Sequence, residues 1–354
     1  MNLYGFVVVL FLNTSQIIPD GNSGYLQLVQ EARANYQSGH FAASERCFVA
    51  AIQMLKPGNE IERAARLAEL GDVYVSEDEL SKAENVYAES LAIYKRTSDK
   101  SSIVLLTRNL AATYSLERRD DDALRLLKQA LKLAGSIPKL DPAFMAELLN
   151  ALGITYYRQG KTSKAGGFFN QALQMVSASQ IKFAIPELLN NLGAVYIVEH
   201  KFQKAEHILK QALKARESEV GPAHPDLTFT LVALGVLYTE SGRYAEAEDQ
   251  YLQALKILQP AESDFGSRIA RILYALSTTY VKVGRRTEAE ALLAEAAVLA
   301  RQHLGQHPDM AKIVEDYSTL LSNSGKTKEA NELRGEAKRA RVSNGLVINA
   351  HNPF

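Results

Sequence analysis

Two histidines, His303 and His307, stand four residues apart, the spacing at which two imidazoles on one helix face can hold a zinc ion. Gly305 falls between them, and no glutamate of the metalloprotease helix type accompanies them. The pair therefore reads as a polar helix C-terminus, where a cationic side chain suits the helix dipole. Cys47 is the single cysteine, so an intrachain disulfide and a cysteine zinc cluster are both excluded. As a nucleophile it would need a positioned histidine. His40 is seven residues away across a turn, and a small buried thiol is the simpler reading. Gly166–Gly167 has no strand before it and no Gly-Lys-Ser after it, so it reads as close helix packing or a bend and not as a phosphate loop. Lys328, Arg334, Lys338, Arg339 and Arg341 make the last helical segment basic, which reads as solvation. No catalytic residues, metal ligands or cofactor site emerge, and the chain is expected not to be an enzyme.

Composition agrees. The chain has 354 residues, 47% of them apolar, enough for a large core. Lys and Arg number 40, as do Asp and Glu, so the formal net charge is zero. A nucleic-acid binder usually carries a basic excess or stripe. Base-reading side chains of an RNA-binding helical repeat would also recur at fixed places, and none do. Leu3–Leu12 is an apolar run of 10 residues, too short for a bilayer span of about 20. Two readings stand: the core of a signal peptide on an exported or periplasmic protein, or an apolar arm packed on the first helices of a cytoplasmic one. No Lys or Arg precedes the run, and Asn13, Thr14 and Ser15 make a weak cleavage site.

The elements that would position any site follow from a repeat. LGDVY begins at Leu70, LAATY at Leu110, LGITY at Leu152, LGAVY at Leu192, LGVLY at Leu234 and LSTTY at Leu276, in steps of 40, 42, 40, 42 and 42 residues. Weaker copies start at Tyr317, 41 residues on, and at Glu31, 39 residues before Leu70. Thirteen residues after each start comes a small residue: Ser44, Ala83, Ala123, Ala165, Ala205, Ala247, Ala289 and Ala330. Seven later comes another: Ala51, Ser90, Ala130, Ala172, Ala212, Ala254, Ala296 and Ala337. Between them stands a bulky residue, Phe48, Tyr87, Leu127, Phe169, Leu209, Tyr251 or Leu293, replaced by Arg334 in the last copy. Leu152 and Tyr156 share one helix face, as do Ala165, Phe169 and Ala172. Gly71, Gly153, Gly193 and Gly235 lie mid-helix, where glycine costs roughly 1 kcal/mol against alanine, so close helix contact is expected. Gly39, Gly160, Gly242, Gly284 and Gly325 mark the turn between the two helices.

These residues carry a resemblance to the tetratricopeptide-repeat (TPR) family over residues 24–341. The resemblance implies an all-α fold: a right-handed superhelical solenoid of about eight antiparallel helix pairs. Residues 1–23 would be an apolar segment and linker, and 342–354 a disordered tail. Tryptophan is absent, and Leu67, Leu149, Leu189, Leu231 and Leu273 hold its usual place. The 40–42-residue period exceeds the usual 34, with the extra residues expected after the second helix. GPAHPDL at Gly221–Leu227 and GQHPDM at Gly305–Met310 recur 83 residues apart, as in the long-repeat, kinesin-light-chain-like subgroup. His-Pro-Asp also marks J-domains, but its fixed place in the repeat favours a linker. There Pro225 and Pro308 stop one helix, and Asp226 and Asp309 are expected to cap the next, with Asp141–Pro142 in the same place. Glu31, Asn35, Leu321, Arg334 and Gly335 break the pattern at the ends and read as polar caps.

The resemblance further implies a protein-interaction scaffold whose first helices line a concave groove for a peptide or protein segment. The expected contact residues are Arg108, Asn109, Asn150, Tyr157, Arg158, Asn190, Asn191, Ile197, Tyr274 and Lys282. An asparagine amide both donates to and accepts from a peptide backbone, so the asparagines suit an extended chain. Their other reading is a bond to the neighbouring repeat. The carboxylate clamp for heat-shock chaperone tails fails: its flanking places hold Ala68, Asp72 and Ile154 around Asn109 and Asn150. The alternative function is a regulatory subunit of an enzyme or signalling complex.

Overall fold

The computed structural model describes residues 23–77, 79–179, 185–305 and 308–343. The apolar run Leu3–Leu12, His307 and the tail from 344 onward lie outside them. The chain divides into two compact units, Met1–Asn191 and Leu192–Phe354. The first holds α1 (Ser23–Gln37), α2 (Phe41–Met54), α3 (Glu60–Ser76), α4 (Leu80–Thr97), α5 (Lys100–Leu116), α6 (Asp120–Ala134), α7 (Pro142–Arg158), α8 (Thr162–Ala178) and the start of α9 (Ile185–Val198). The second holds the rest of α9, then α10 (Phe202–Val220), α11 (Leu227–Glu240), α12 (Tyr244–Leu258), α13 (Glu262–Val283), α14 (Arg286–His303), α15 (Pro308–Asn323) and α16 (Thr327–Ser343). No strand occurs among the described residues.

Odd-numbered helices are the first members of antiparallel pairs and even-numbered helices the second. The sixteen small residues are at most 3% exposed. The seven bulky residues between them are equally buried. A β-carbon at Gly71, Gly193 or Gly235 would fall 2.5 Å from the side chain of Tyr87, Leu209 or Tyr251, and one at Gly153 would strike the Phe169 ring as closely. Each glycine thus faces the bulky residue of its own partner helix. Burying that residue contributes about 2 kcal/mol, which outweighs the roughly 1 kcal/mol of glycine in a helix. The two glycines of α8 differ from this expectation at one position. Gly167 faces open space, so close packing is not its reason.

The turns within pairs close by a 6→1 backbone bond, such as Lys161 N to Tyr156 O at 2.9 Å and Arg243 N to Tyr238 O at 2.8 Å. The residue before the closing amide has positive φ, which Gly160 (φ 70°) adopts without strain. Arg118 and His200 adopt it in two other copies. The extra length of the repeat goes partly to the second helix, 19 residues in α10, and partly to the exit loop, as expected.

The linker expectation is met at one of three places. Asp141 caps α7 by accepting from Ala143 N at 2.9 Å, with Pro142 at the first helical position. Asp226 sits at the N-cap of α11 but accepts no capping bond, and the turn is tied instead by Asp226 N to His224 Nδ1 at 3.2 Å. Asp309 lies inside the first turn of α15 and pairs with Arg271 Nε at 2.7 Å. Asp226 and Asp309 are therefore not caps: histidine takes over one turn, and the neighbouring repeat recruits the other carboxylate. An unforeseen cap is Asp99, which accepts from Ser101 N and Ser102 N at the start of α5.

Candidate protein-binding face

The expected contact residues sit on the first helices, but most of their polar groups are already engaged with a neighbouring repeat, before or after their own. In the first unit, Asn109 is 6% exposed and donates through Nδ2 to Asp72 Oδ1 at 3.2 Å. Tyr87 Oη donates to the same oxygen at 2.5 Å. Arg108 donates to Asn109 Oδ1 at 2.9 Å and pairs with Glu147 of the following first helix. Upstream, Arg33 pairs with Glu69 at 2.6 Å, and Arg66 bridges Glu62 and Glu69. Burial dominates this layer's electrostatics. Burial pushes the Asp72 carboxyl up to about 7, against the opposing pull of the Tyr87 bond and the Arg108 charge. It also raises Glu69 and Glu147, whose arginines pull the other way.

Further along, Asn150 Nδ2 donates to Glu187 Oε1 at 2.8 Å, and Asn191 Nδ2 donates to Asn150 Oδ1 at 2.8 Å. Asn150 and Asn190 are half-buried, while Asn191 is buried. Tyr157 is half-buried, and desolvation raises its hydroxyl pKa. Arg158 forms an ion pair with Asp120 at 3.0 Å. The structure thus brings Asn150, Asn191 and Tyr157 onto one edge, and draws Arg108 and Asn109 into an interior polar layer.

In the second unit, Ile197 is 5% exposed and packs in the hydrophobic core with Ala205 and Leu209. It offers no surface for anchoring a ligand, and packing is its role. Tyr274 Oη donates to Asp316 Oδ2 at 2.6 Å, and Lys282 donates to Glu240 at 2.9 Å. Cys47 is half-buried against the first unit's core, and the His303 ring lies against Gly266.

A second polar pattern escaped the sequence reading. Glu84, directly after the small Ala83, accepts from Tyr114 Oη at 2.7 Å and from Arg119 Nη1 at 3.0 Å, and the Arg119 guanidinium covers the Tyr114 ring at 3.8 Å. Glu206, Tyr238 and Arg243 repeat this in the second unit, with a 2.6 Å charge pair and a 4.3 Å ring distance. Glu248, Tyr280 and Arg285 do so again. The arginine stands at the N-cap of the second helix, where the dipole disfavours a cation. Its pairing with the preceding repeat offsets that. The Arg243 bond holds Glu206 down at about 2. The readable signal is a glutamate after the small residue and a cation five after the tyrosine.

The tetratricopeptide repeat family matches residues 62–136, 101–178, 185–259 and, through a second form of the repeat, 269–309. The chain belongs to that family, and in the general sense this makes it a protein-interaction scaffold. Solved structures share the fold. BtubC (BKLC) from P. vanneervenii is 22% identical with a TM-score of 0.55, over 64% of this chain and 92% of that one. A Rap protein complexed with Competence and Sporulation Factor is 19% identical with a TM-score of 0.59, over 90% and 79%. A tetratricopeptide repeat protein from Parabacteroides merdae is 16% identical with a TM-score of 0.55, over 78% and 93%. No curated protein sequence matches the chain. Among the described residues, no helix is long and apolar enough to cross a membrane.

Proposed function

We propose that the chain is a non-catalytic scaffold that holds an extended segment of a partner protein against the first helices of its first unit. The observation that carries this reading is the amide ladder of Asn191, Asn150 and Glu187. It places donors and acceptors one repeat apart, with Asn150 and Glu187 half-buried and Asn191 buried, and Tyr157 lies two helical turns along from Asn150 on the same face. Each bond in the ladder can be exchanged for one to a peptide backbone. Such an exchange is nearly neutral in energy, whereas leaving a buried amide unpaired costs about 1–3 kcal/mol. The Rap protein held a bound factor on the same fold, which supports the reading. A partner that is an enzyme would make the chain its regulatory subunit, using the same face.

The test is affinity purification of the full chain from its native cell beside an Asn150→Ala/Tyr157→Ala variant of unchanged melting temperature. The expected result is loss of the partner from the variant. A partner retained at wild-type level overturns the assignment of this face.

A further inference from the structure

At the junction of α6, α7 and α8 the glutamate–tyrosine–cation triad is broken. Tyr156 and Lys161 keep the tyrosine and cation places, but the glutamate place, filled elsewhere by Glu84, Glu206 and Glu248, holds Leu124. Lys161 Nζ turns to Gln159 Oε1 at 2.8 Å instead. An open depression of about 450 Å³ lies there, floored by Leu124 and Tyr156 and rimmed by the exposed Arg125, Lys128, Lys161 and Lys164. The Tyr156 ring stacks on Phe168 at 5.4 Å, which fixes its plane. Lys128 and Lys164 bring their ammonium groups to 5.8 and 5.6 Å from its centroid. Of the cations, Arg125 is bonded to Asp122 at 2.6 Å. Asp121, a carboxylate lining the depression, accepts from Gln159 Nε2 at 2.9 Å. Four cations thus surround a tyrosine whose usual acid is missing. A depression elsewhere in the second unit, lined by α14, α15 and α16, is mixed in sign: Arg301 and Arg339 face Glu329, Glu332 and Glu336.

We infer that this depression is a docking site for an acidic side chain of a partner protein, whose carboxylate or phosphate takes the place of the glutamate that the chain supplies to itself at three other turns. An incoming oxyanion would accept from Tyr156 Oη and from Lys128, Lys161 and Lys164, all charge-assisted or aromatic donors. The shallow, open form suits a side chain carried on a segment, not an enclosed small molecule. The site lies on second helices and a turn, so it stands independently of the first-helix face.

The experiment is fluorescence anisotropy on the full chain with labelled hexaglutamate, and in a parallel arm with a phosphoserine peptide of equal length. Comparison of the two arms tells a carboxylate from a phosphate. Lys128→Ala/Lys164→Ala is expected to weaken the preferred peptide about tenfold or more. Leu124→Glu, which restores the internal acid, is expected to weaken it as much without lowering the melting temperature. Lys95→Gln makes the same single-charge change as Leu124→Glu, but outside the depression, and is expected to alter binding less than about twofold. Binding undiminished in both cleft variants, or weakened equally by Lys95→Gln, overturns the site. A single-stranded oligonucleotide that binds more tightly than either peptide overturns the protein partner.

Discussion

Asp72 is a buried carboxyl of the first unit whose protonation is set by the fold. It is 5% exposed, and burial holds its carboxyl at about 7 when folded. In the unfolded chain it titrates near 3.9. Its stabilising contribution is therefore complete below about pH 4 and is lost as pH rises through 7, because the folded state must then bury an ionised group. Asp72→Asn keeps the Oδ1 acceptor that serves both Tyr87 and Asn109. Urea unfolding of the variant should lack the decline of a few kcal/mol between pH 4 and 8 that the parent shows. An unchanged decline would mean that another group supplies it. Glu206 has the opposite sign: the Arg243 bond depresses its pKa to about 2, so its contribution is present above about pH 4.3 and lost as pH falls toward 2. Glu206 and its partner Arg243 are only half-buried, and solvent screening leaves that contribution at about 1 kcal/mol or less. Glu206→Gln should flatten the acid limb of the melting temperature below pH 4 and leave the Asp72 region unchanged.

At the scale of the helix pair, the glycine opposite the bulky residue sets how closely the two rods approach. Gly153→Ala gains about 1 kcal/mol of helix propensity but drives a methyl into the Phe169 ring, an overpacking cost of about 1–3 kcal/mol. The single variant should unfold at lower urea. Phe169→Leu alone should also be destabilising, through a cavity. The double variant should recover part of the loss, because the α5–α6 pair already combines Ala111 with Leu127. Strict additivity of the two losses would show that the residues do not meet. This packing was legible in the sequence because small and bulky residues recur at fixed offsets, and periodicity reports burial directly. Polar pairing across repeats was less legible. Asn109 and Arg108 occupy the places where a groove residue would stand, yet both turn to neighbours 37 and 39 residues away, Asp72 and Glu147. Ile197 also has the offset of a contact residue, but it is buried in the second unit's core, which the offset does not reveal. The capping error at Asp226 and Asp309 arose because an Asp after Pro signals a helix start without telling whether the carboxylate will turn to its own amides or to an arginine one repeat on.

At the scale of the molecule, a chain built from nearest-neighbour contacts is only as stable at each point as the pairs on either side. Among the described residues, the α1–α2 pair packs on α3 and the α15–α16 pair on α14. In the α1–α2 pair, Tyr25 and Arg33 reach the next repeat through Glu62 and Glu69. In the α15–α16 pair, Arg334 replaces the bulky packing residue and lies exposed against Asn331. A charged side chain at that position removes about 2 kcal/mol of burial that the other pairs have. Native-state hydrogen exchange should therefore find the α16 amides opening at lower free energy than those of α12 or α14, with α1 and α2 intermediate because buried Tyr25 and half-buried Arg33 tie α1 to the next repeat. Arg334→Leu should add apolar contact within the last pair and raise α16 protection by about 1 kcal/mol, with no change in α12. Protection that rises equally in both helices would show that the second unit opens as one cooperative block, and the nearest-neighbour description would then not apply to it.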